Sequence, residues 1–254
     1  QVEGITTAIE VSCGENHSCA LLSDHKVVCW GSNNMGQIGN TSGPFSNVPV
    51  EIPGTFAYQV SVGNTHSCAR VGGSVWCWGS NNVGQLGNKS SSNSSTPVAV
   101  LGITTAAQIS AGESHTCARI NDGSVQCWGA GSFGQLGNEA NSNANAPVSV
   151  AKLASSVEVA SGNYFGCARL TDGTLSCWGQ NSMGQLGNKS STDTNAPVKA
   201  LGLSLTVLEV SAGSNDTCVR LADSSLWCWG FGGYGQLGNK ADNSSIVPVR
   251  VVWQ

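Results

Sequence analysis

Apolar residues along this chain fall in short runs, most of them alternating with polar ones and each stopped by glycine, asparagine, aspartate or serine. Alternation with a period of two puts successive side chains on opposite faces of a strand. The Val, Ile, Leu and Cys content of the runs suits a pleated, half-buried surface. No apolar run approaches the roughly 18 residues that a membrane-crossing helix needs, and no long stretch carries a helical stripe. One section shows the pattern in full. Residues 108–111 alternate and end at Gly112, and residues 115–120 follow as a second strand. Asn121, Asp122 and Gly123 make a tight turn into a third strand at residues 125–128. A glycine-rich segment and a polar loop then lead to a fourth strand opening at Pro147 and Val148.

The same unit occurs five times. Gly-Gln-Leu-Gly-Asn, with Ile for Leu once, starts at Gly36, Gly84, Gly134, Gly184 and Gly235. Cys-Trp-Gly starts at Cys29, Cys77, Cys127, Cys177 and Cys228, and an earlier cysteine recurs at Cys19, Cys68, Cys117, Cys167 and Cys218. A Pro-Val pair begins at Pro49, Pro97, Pro147, Pro197 and Pro248, and the period is 48 to 51 residues. The repeats run over approximately 5–54, 55–103, 104–153, 154–203 and 204–254. Four short strands per unit and no helix predict an all-β fold, a β-propeller of five four-stranded blades forming a single repeat domain over residues 1–254. A stacked solenoid is the alternative, but its coils are usually about 20–30 residues.

The cysteines give a geometric test of the hairpin. Nine residues separate Cys117 from Cys127 across a three-residue turn; eight separate Cys68 from Cys77, where the turn is the pair Gly72-Gly73. Loop and spacing shorten together, which keeps each pair directly opposed on an antiparallel hairpin, within disulfide reach. The expected pairs are Cys19–Cys29, Cys68–Cys77, Cys117–Cys127, Cys167–Cys177 and Cys218–Cys228, one disulfide per blade. Gly123 and Gly173 stand where a three-residue hairpin needs a left-handed residue; His25 and Ser224 take that place in the outer units at some strain. Zinc is disfavoured, because structural sites place ligands two to four residues apart. The eleventh cysteine, Cys13, aligns with Val62, Ala111, Ser161 and Ala212. It reads as a buried free thiol, with an intermolecular bridge as the alternative.

Composition narrows the setting. Charged residues are 10% of the chain, against roughly 25% in average globular proteins. The formal net charge is −4 and the basic residues are scattered, so no basic face is available to displace counterions from nucleic acid. Many cysteines in an oxidised framework imply an extracellular or cell-surface location, and a chain beginning at Gln1 reads as a processed mature protein.

The phrase Ser-Ala-Gly-Glu-Ser-His-Thr-Cys-Ala-Arg from Ser110, then Asp-Gly-Ser-Val-Gln-Cys-Trp-Gly from Asp122, then Gly-Gln-Leu-Gly from Gly134, resembles the regulator of chromosome condensation repeat, RCC1-like, in its bacterial, cysteine-containing branch. The resemblance covers all five units and implies a β-propeller. Familiar members have seven blades, and five here is a departure. Their functions include a nuclear nucleotide-exchange factor on chromatin, a plant ultraviolet photoreceptor and a secreted bacterial inhibitor of β-lactamases, so the family implies no single function. The tail before Gly14 and the tail after Pro248 together supply slightly more than one inter-repeat segment. The first and last strands therefore either complete one blade together or pair between molecules, giving self-association through terminal strands.

Candidate chemistry is sparse. His17, His66 and His115 recur two residues before the first cysteine, becoming Phe165 and Asp216 in the last units. A metal ring is one reading; a structural histidine bonding nearby backbone is the favoured one. Trp30, Trp78, Trp128, Trp178 and Trp229 read as packing between blades, and Arg70, Arg119, Arg169 and Arg220 as surface or inter-blade pairing. The Gly-Gln-Leu-Gly-Asn segment lacks the Lys-Ser/Thr of a phosphate loop, so its glycines are read as turn formers. No catalytic set is recognisable from spacing, and the chain reads as a non-enzyme with no catalytic, cofactor or metal residues. The Ser/Asn-rich loops that follow each Asn should share one face; they read either as solvated linkers or as the recognition surface for a protein or glycan. Sequons at Asn16, Asn40, Asn88, Asn93, Asn188, Asn215 and Asn243 mark possible glycosylation. The expected function is a non-catalytic extracellular interaction or structural module, a surface protein or filament subunit. The alternative is a secreted inhibitor of an enzyme such as a β-lactamase. That role would need an aromatic face, with Phe45, Tyr58, Phe133, Tyr164, Phe165, Phe231 and Tyr234 as candidates.

Overall fold

The computed structural model describes residues 2–41 and 43–253, and among them every regular element is a strand. The first sheet contains β1 (Ala8–Cys13), β2 (His17–Leu22), β3 (Lys26–Ser32) and β4 (Phe45–Phe56). The second contains β5 (Gln59–Val62), β6 (His66–Val71), β7 (Ser74–Gly79) and β8 (Ser94–Ala99). The third contains β9 (Ala106–Ala111), β10 (His115–Ile120), β11 (Val125–Gly129) and β12 (Ala144–Ser149). The fourth contains β13 (Ser156–Ser161), β14 (Phe165–Leu170), β15 (Leu175–Gly179) and β16 (Thr194–Lys199). The fifth contains β17 (Val207–Ala212), β18 (Asp216–Leu221), β19 (Leu226–Gly230) and β20 (Ser245–Arg250). Strand order follows chain order in every sheet. This is the β-propeller class, with five four-stranded blades.

The chain divides into two compact units. The first runs to Asn121 and includes Trp128–Ala130 and Asn143–Pro147; the second comprises Asp122–Cys127, Gly131–Ser142 and the chain from Val148 onward.

The antiparallel register places Cys19 opposite Cys29, Cys68 opposite Cys77, Cys167 opposite Cys177 and Cys218 opposite Cys228, and each of these pairs is a disulfide. Cys117 and Cys127 are disulfide-bonded as well. The hairpin turns follow the residue chemistry. Gly123 and Gly173 have φ of 83° and 79°, while His25 and Ser224 hold the same left-handed conformation at 67° without the freedom of glycine. His25 is held there by a 3.0 Å hydrogen bond from its ring to the Ala57 carbonyl.

The terminal strands do not share a sheet. β1 pairs with β2 in the first sheet and β20 with β19 in the last, so each end completes its own blade. Cys13 is an exposed free thiol, not a buried one. The equivalent Val62 is buried against the sheet before it, where its N–H donates to Ser12 Oγ at 2.9 Å, and among the described residues no sheet covers β1 in that way.

Within each unit, neighbouring sheets meet through one repeated arrangement. The indole N–H of Trp78 donates to the Gln37 carbonyl at 2.9 Å, Trp128 to Gln85 at 2.9 Å, Trp178 to Gln135 at 3.0 Å and Trp229 to Gln185 at 2.9 Å. All four indoles are fully buried. Around them pack Ile38 with Ile52 and Val60, Leu86 with Val100 and Ile109, and Leu186 with Val207 and Val210. Fully burying a side chain of this size contributes about 1.5–3 kcal/mol. Ser67 adds a second donor to the Gln37 carbonyl at 2.9 Å, and Thr217 a second to Gln185 at 2.8 Å. Gly166 stands at that position in the fourth sheet, where a Cβ would meet the Trp178 ring at 2.8 Å, so this position offers the Gln135 carbonyl no hydroxyl donor beside the indole.

That difference predicts unequal costs for the same substitution. Trp178→Phe and Trp229→Phe remove similar volume, but only Trp178→Phe strips the buried carbonyl of its side-chain donor. Urea unfolding should show Trp178→Phe the more destabilising by about 1–2 kcal/mol.

Candidate functional site

The segment after the third strand of each sheet makes two turns in succession. Gly36 N–H donates to Asn33 O and Gly39 N–H to Gly36 O, and the pattern repeats through Gly84 and Gly87, Gly134 and Gly137, Gly184 and Gly187, and Gly235 and Gly238. The glutamine between the glycines folds back. Its Oε1 accepts from the backbone N–H of Met35, Val83, Phe133, Met183 and Tyr234 at 2.8–3.1 Å. The amides that would cradle a phosphate are therefore engaged within the turn itself. The same fold-back projects the residue before the first glycine outward: Met35, Phe133, Met183 and Tyr234 are exposed.

The polar loops that follow are pinned. Buried Asn81 donates through Nδ2 to Asn88 Oδ1 and to the carbonyls of Ser90 and Ser92, and its Oδ1 accepts from Leu86 N. Its own N–H donates to Asn93 Oδ1 at 2.8 Å. Asn181 does the same with Asn188, Ser190, Thr192, Leu186 and Asp193. Asn33 holds the first loop through Asn40 and Gly43. In the third and fifth sheets a glycine replaces this asparagine. A Cβ on Gly131 would lie 2.0 Å from Ser142 O and one on Gly232 2.1 Å from Asn243 O, so the loop backbone occupies the space the side chain would need. These anchors escaped the sequence reading. The signal was an Asn two residues beyond the glycine of Cys-Trp-Gly in three of the repeats.

Lys89, Glu139, Lys189 and Lys240, which follow the repeat asparagine, are all left-handed at φ 62–65°. The N–H groups of the first three donate to Asn145, Asn195 and Ile246 in the outer strand of the next sheet at 2.8–3.1 Å. The strained backbone is thus fixed by a junction contact.

In each unit these turns and loops carry a shallow cleft, and in the second unit aromatic pairs as well. Met35, Asn33, Asn34, Asn93 and Ser95 line an open cleft of about 480 Å³ in the first unit, and Ser132, Phe133, Asn141 and Asp193 one of about 210 Å³ in the second. Phe133 packs on Tyr164 at 5.1 Å between ring centres, and Phe231 on Tyr234 at 5.6 Å. Phe165 leaves the aromatic face expected from sequence, because it is fully buried in the core of the second unit. Tyr58 packs against His25 with the rings tilted by 47° and lies under the Arg70 guanidinium. Phe45 is exposed at the start of β4. Of the sequon asparagines, Asn40, Asn88 and Asn188 are part-buried with Oδ1 in the loop anchors, whereas Asn16, Asn93 and Asn243 are exposed and Asn215 is part-exposed. The third residue of the Asn40 sequon, Ser42, lies outside the described residues.

The remaining candidates serve the framework. His17 Nε2 bonds Ser67 Oγ at 2.9 Å and His66 Nε2 bonds Thr116 Oγ1 at 2.8 Å, both hydroxyls of the next sheet. Among the described residues no His/Cys/Asp/Glu cluster is placed to hold a metal. Arg169 and Arg220 pair with Glu158 and Glu209 of their own sheets at 2.8 and 3.1 Å, not across blades. Arg70 donates to the Gly72 carbonyl at 2.9 Å. Trp30 alone of the five repeat tryptophans is part-exposed.

Five four-stranded antiparallel sheets, each followed by a glycine turn and a polar loop, define a propeller-type scaffold. The chain matches the RCC1-like domain over residues 1–254 and belongs to that family. It is similar to yeast RCC1 (Prp20), solved bound to Kap60, with a TM-score of 0.87 and 22% identity over 96% of this chain and 61% of that one. It is equally similar in fold to human WBSCR16, at 22% identity and a TM-score of 0.87, covering 97% of this chain and 67% of that one. In sequence it is 32% identical over 79 residues to the mitochondrial RCC1 domain-containing protein RUG3 of Arabidopsis thaliana, which is 30% of this chain and 18% of that protein. The chain therefore spans about three fifths of the yeast protein's solved chain and under a fifth of RUG3.

Two outcomes follow. Asn81→Ala removes the hub of its loop, and limited proteolysis should cut within residues 88–94 faster than in the parent, with the Asn181-anchored loop unchanged. Burial also pushes His17 down to about 4, and burial together with repulsion from His17 and His115 pushes His66 down to about 3. The unfolded chain, with histidines near 6.5, binds more protons below that pH. Stability is therefore full above about pH 6.5 and falls as pH drops toward 4, on the order of a few kcal/mol in all. Urea midpoints measured across this range should show the decline, and His66→Gln should flatten it.

Proposed function

We propose that this chain is a non-catalytic extracellular interaction module, a single repeat array whose working surface is the rim of pinned loops and projecting side chains, and that its partner is a protein. One observation carries the reading: the loops are pre-organised by buried asparagines while Met35, Phe133, Met183 and Tyr234 stand exposed beside them. A surface already ordered loses little conformational freedom on binding, and apolar or aromatic anchors set among polar groups are the usual source of binding energy. The fold relatives support a protein partner: yeast RCC1 was solved bound to Kap60, and Prp20p was described with its binding to Gsp1p and histones. Disulfide-bonded cysteines in all five sheets support an oxidising location. The non-catalytic reading is supported by the use of His17, His66, Arg169 and Arg220 in holding sheets together. Exposed Asn16, Asn93 and Asn243 are the sequons best placed for glycans.

A second reading, enzyme inhibition, is favoured by the paired aromatics Phe133–Tyr164 and Phe231–Tyr234, which resemble the rigid anchors that fill a partner's cleft.

Biolayer interferometry of the oxidised chain against a panel of secreted and cell-surface proteins, with β-lactamases among them, tests both. A specific binder should lose at least tenfold in affinity with Phe133→Ser/Tyr234→Ser and keep its affinity with Asp122→Asn/Asp172→Asn, at the opposite hairpin ends. Binding indifferent to the rim pair, or weakened equally by the hairpin pair, defeats the proposal. Inhibition of a β-lactamase selects the second reading.

A further inference from the structure

The contact between neighbouring sheets has a direction. In the first two sheets the forward side is the glutamine carbonyl of the glycine turn, the histidine two residues before the first cysteine, and a serine of the first strand. The sheet that follows receives these on its indole N–H, on the hydroxyl next to its first cysteine, and on an N–H of its first strand; the fourth sheet, with Gly166 in place of the hydroxyl, keeps the indole contact. Thus Gln37 O meets Trp78, His17 meets Ser67, and Ser12 Oγ accepts from Val62 N at 2.9 Å. One sheet further on, Gln85 O meets Trp128, His66 meets Thr116, and Ser61 Oγ accepts from Ala111 N at 2.9 Å.

The first and last sheets each display one half of this contact. In the first, Val11 is 64% exposed where Val60, Ile109, Val159 and Val210 are at most 6%. Trp30 is part-exposed, where Trp78, Trp128, Trp178 and Trp229 are fully buried. Ser18 stands at the position of Ser67 and Thr116, and Cys13 N–H at that of Val62 and Ala111. In the last sheet Gln236 is exposed where Gln37, Gln85, Gln135 and Gln185 are buried. Ser211, matching Ser12 and Ser61, is exposed too. A Cβ on Gly235 meets nothing within 4 Å, whereas one on Gly36, Gly84, Gly134 or Gly184 would run into the outer strand of the following sheet at 2.4–2.6 Å.

The geometry points to head-to-tail association with a second copy of this chain. The last sheet of one copy seats on the first sheet of the next. Gln236 O accepts from Trp30 Nε1, Ser211 Oγ accepts from Cys13 N–H, and Asp216 faces Ser18 as His17 faces Ser67. The occupant is identified by complementarity: both halves are present on this chain, and they are the same groups that meet inside it. An unrelated partner offers neither the indole donor nor the edge strand in that register. The contact is heterologous, so each copy retains a free end until the chain of copies closes. It uses sheet faces and not the loop rim, so it stands or falls independently of the proposed rim function.

The test is sedimentation velocity on the oxidised full chain from nanomolar to high micromolar concentration, with Val11→Arg as a blocked head and Ser211→Arg as a blocked tail. Both positions are exposed, so folding is retained, which circular dichroism and thermal midpoints check. The parent's weight-average mass should rise with concentration, and each variant alone should stay at the mass of one chain. An equimolar mixture of the two variants should give a species of two chains and nothing larger, because it contains one intact head and one intact tail. Alkylation of Cys13 by iodoacetamide should slow several-fold as the parent associates. A parent that stays at the mass of one chain throughout, variants that associate like the parent, or a variant mixture that remains monomeric would each overturn the proposal.

Discussion

The hydrogen bond from a buried indole to a main-chain glutamine carbonyl is the constraint on which the rest of this structure depends. A carbonyl sealed between two sheets costs on the order of 1–3 kcal/mol if left without a donor. To present it, the chain must make two successive turns, which places glycines before and after the glutamine. To hold the turns, the glutamine side chain must fold back onto the amide two residues earlier. That closure throws the preceding residue outward and leaves the next segment to be pinned from below. One interaction at the junction thus accounts for the Gly-Gln-Leu-Gly phrase, the buried tryptophan and the exposed residue that begins the rim.

The hairpin disulfides act at a different place. They clamp the second and third strands of a sheet, which are the strands that carry the junction hydroxyl and the tryptophan. In a chain so poor in charge, with small apolar side chains, a local covalent clamp reduces the freedom of the unfolded hairpin and fixes the angle at which the indole leaves the strand. The buried histidines add a polar tie from sheet to sheet but favour the neutral ring, so the framework is suited to neutral surroundings.

The features legible in the sequence were those in which residue type and spacing encode geometry. Cysteine spacing changed with turn length, and four-strand units without helical periodicity left few architectures. The acceptor of each tryptophan was not legible, because a main-chain carbonyl leaves no trace in residue identity. The loop anchor was missed because Gly131 and Gly232 interrupt the column in which Asn33, Asn81 and Asn181 stand. Cys13 is exposed and not buried for a related reason: its equivalents Val62 and Ala111 are covered by a neighbour's strand, and that cover belongs to the neighbour and not to the position. Residue type alone points Phe165 to a binding face, but its place in the column of the buried histidines puts it in the core.

Because the junction rests on backbone carbonyls and a single repeated indole, it makes little demand on the identity of the side chains around it. Loops can diversify on the rim, as the differing runs after Lys89, Glu139, Lys189 and Lys240 show, without disturbing the contact beneath. The same property makes the number of units an evolvable quantity. Duplication or loss of one whole repeat leaves every surviving contact with its donor and acceptor, so an array of this kind can change length in a single genetic step and remain folded.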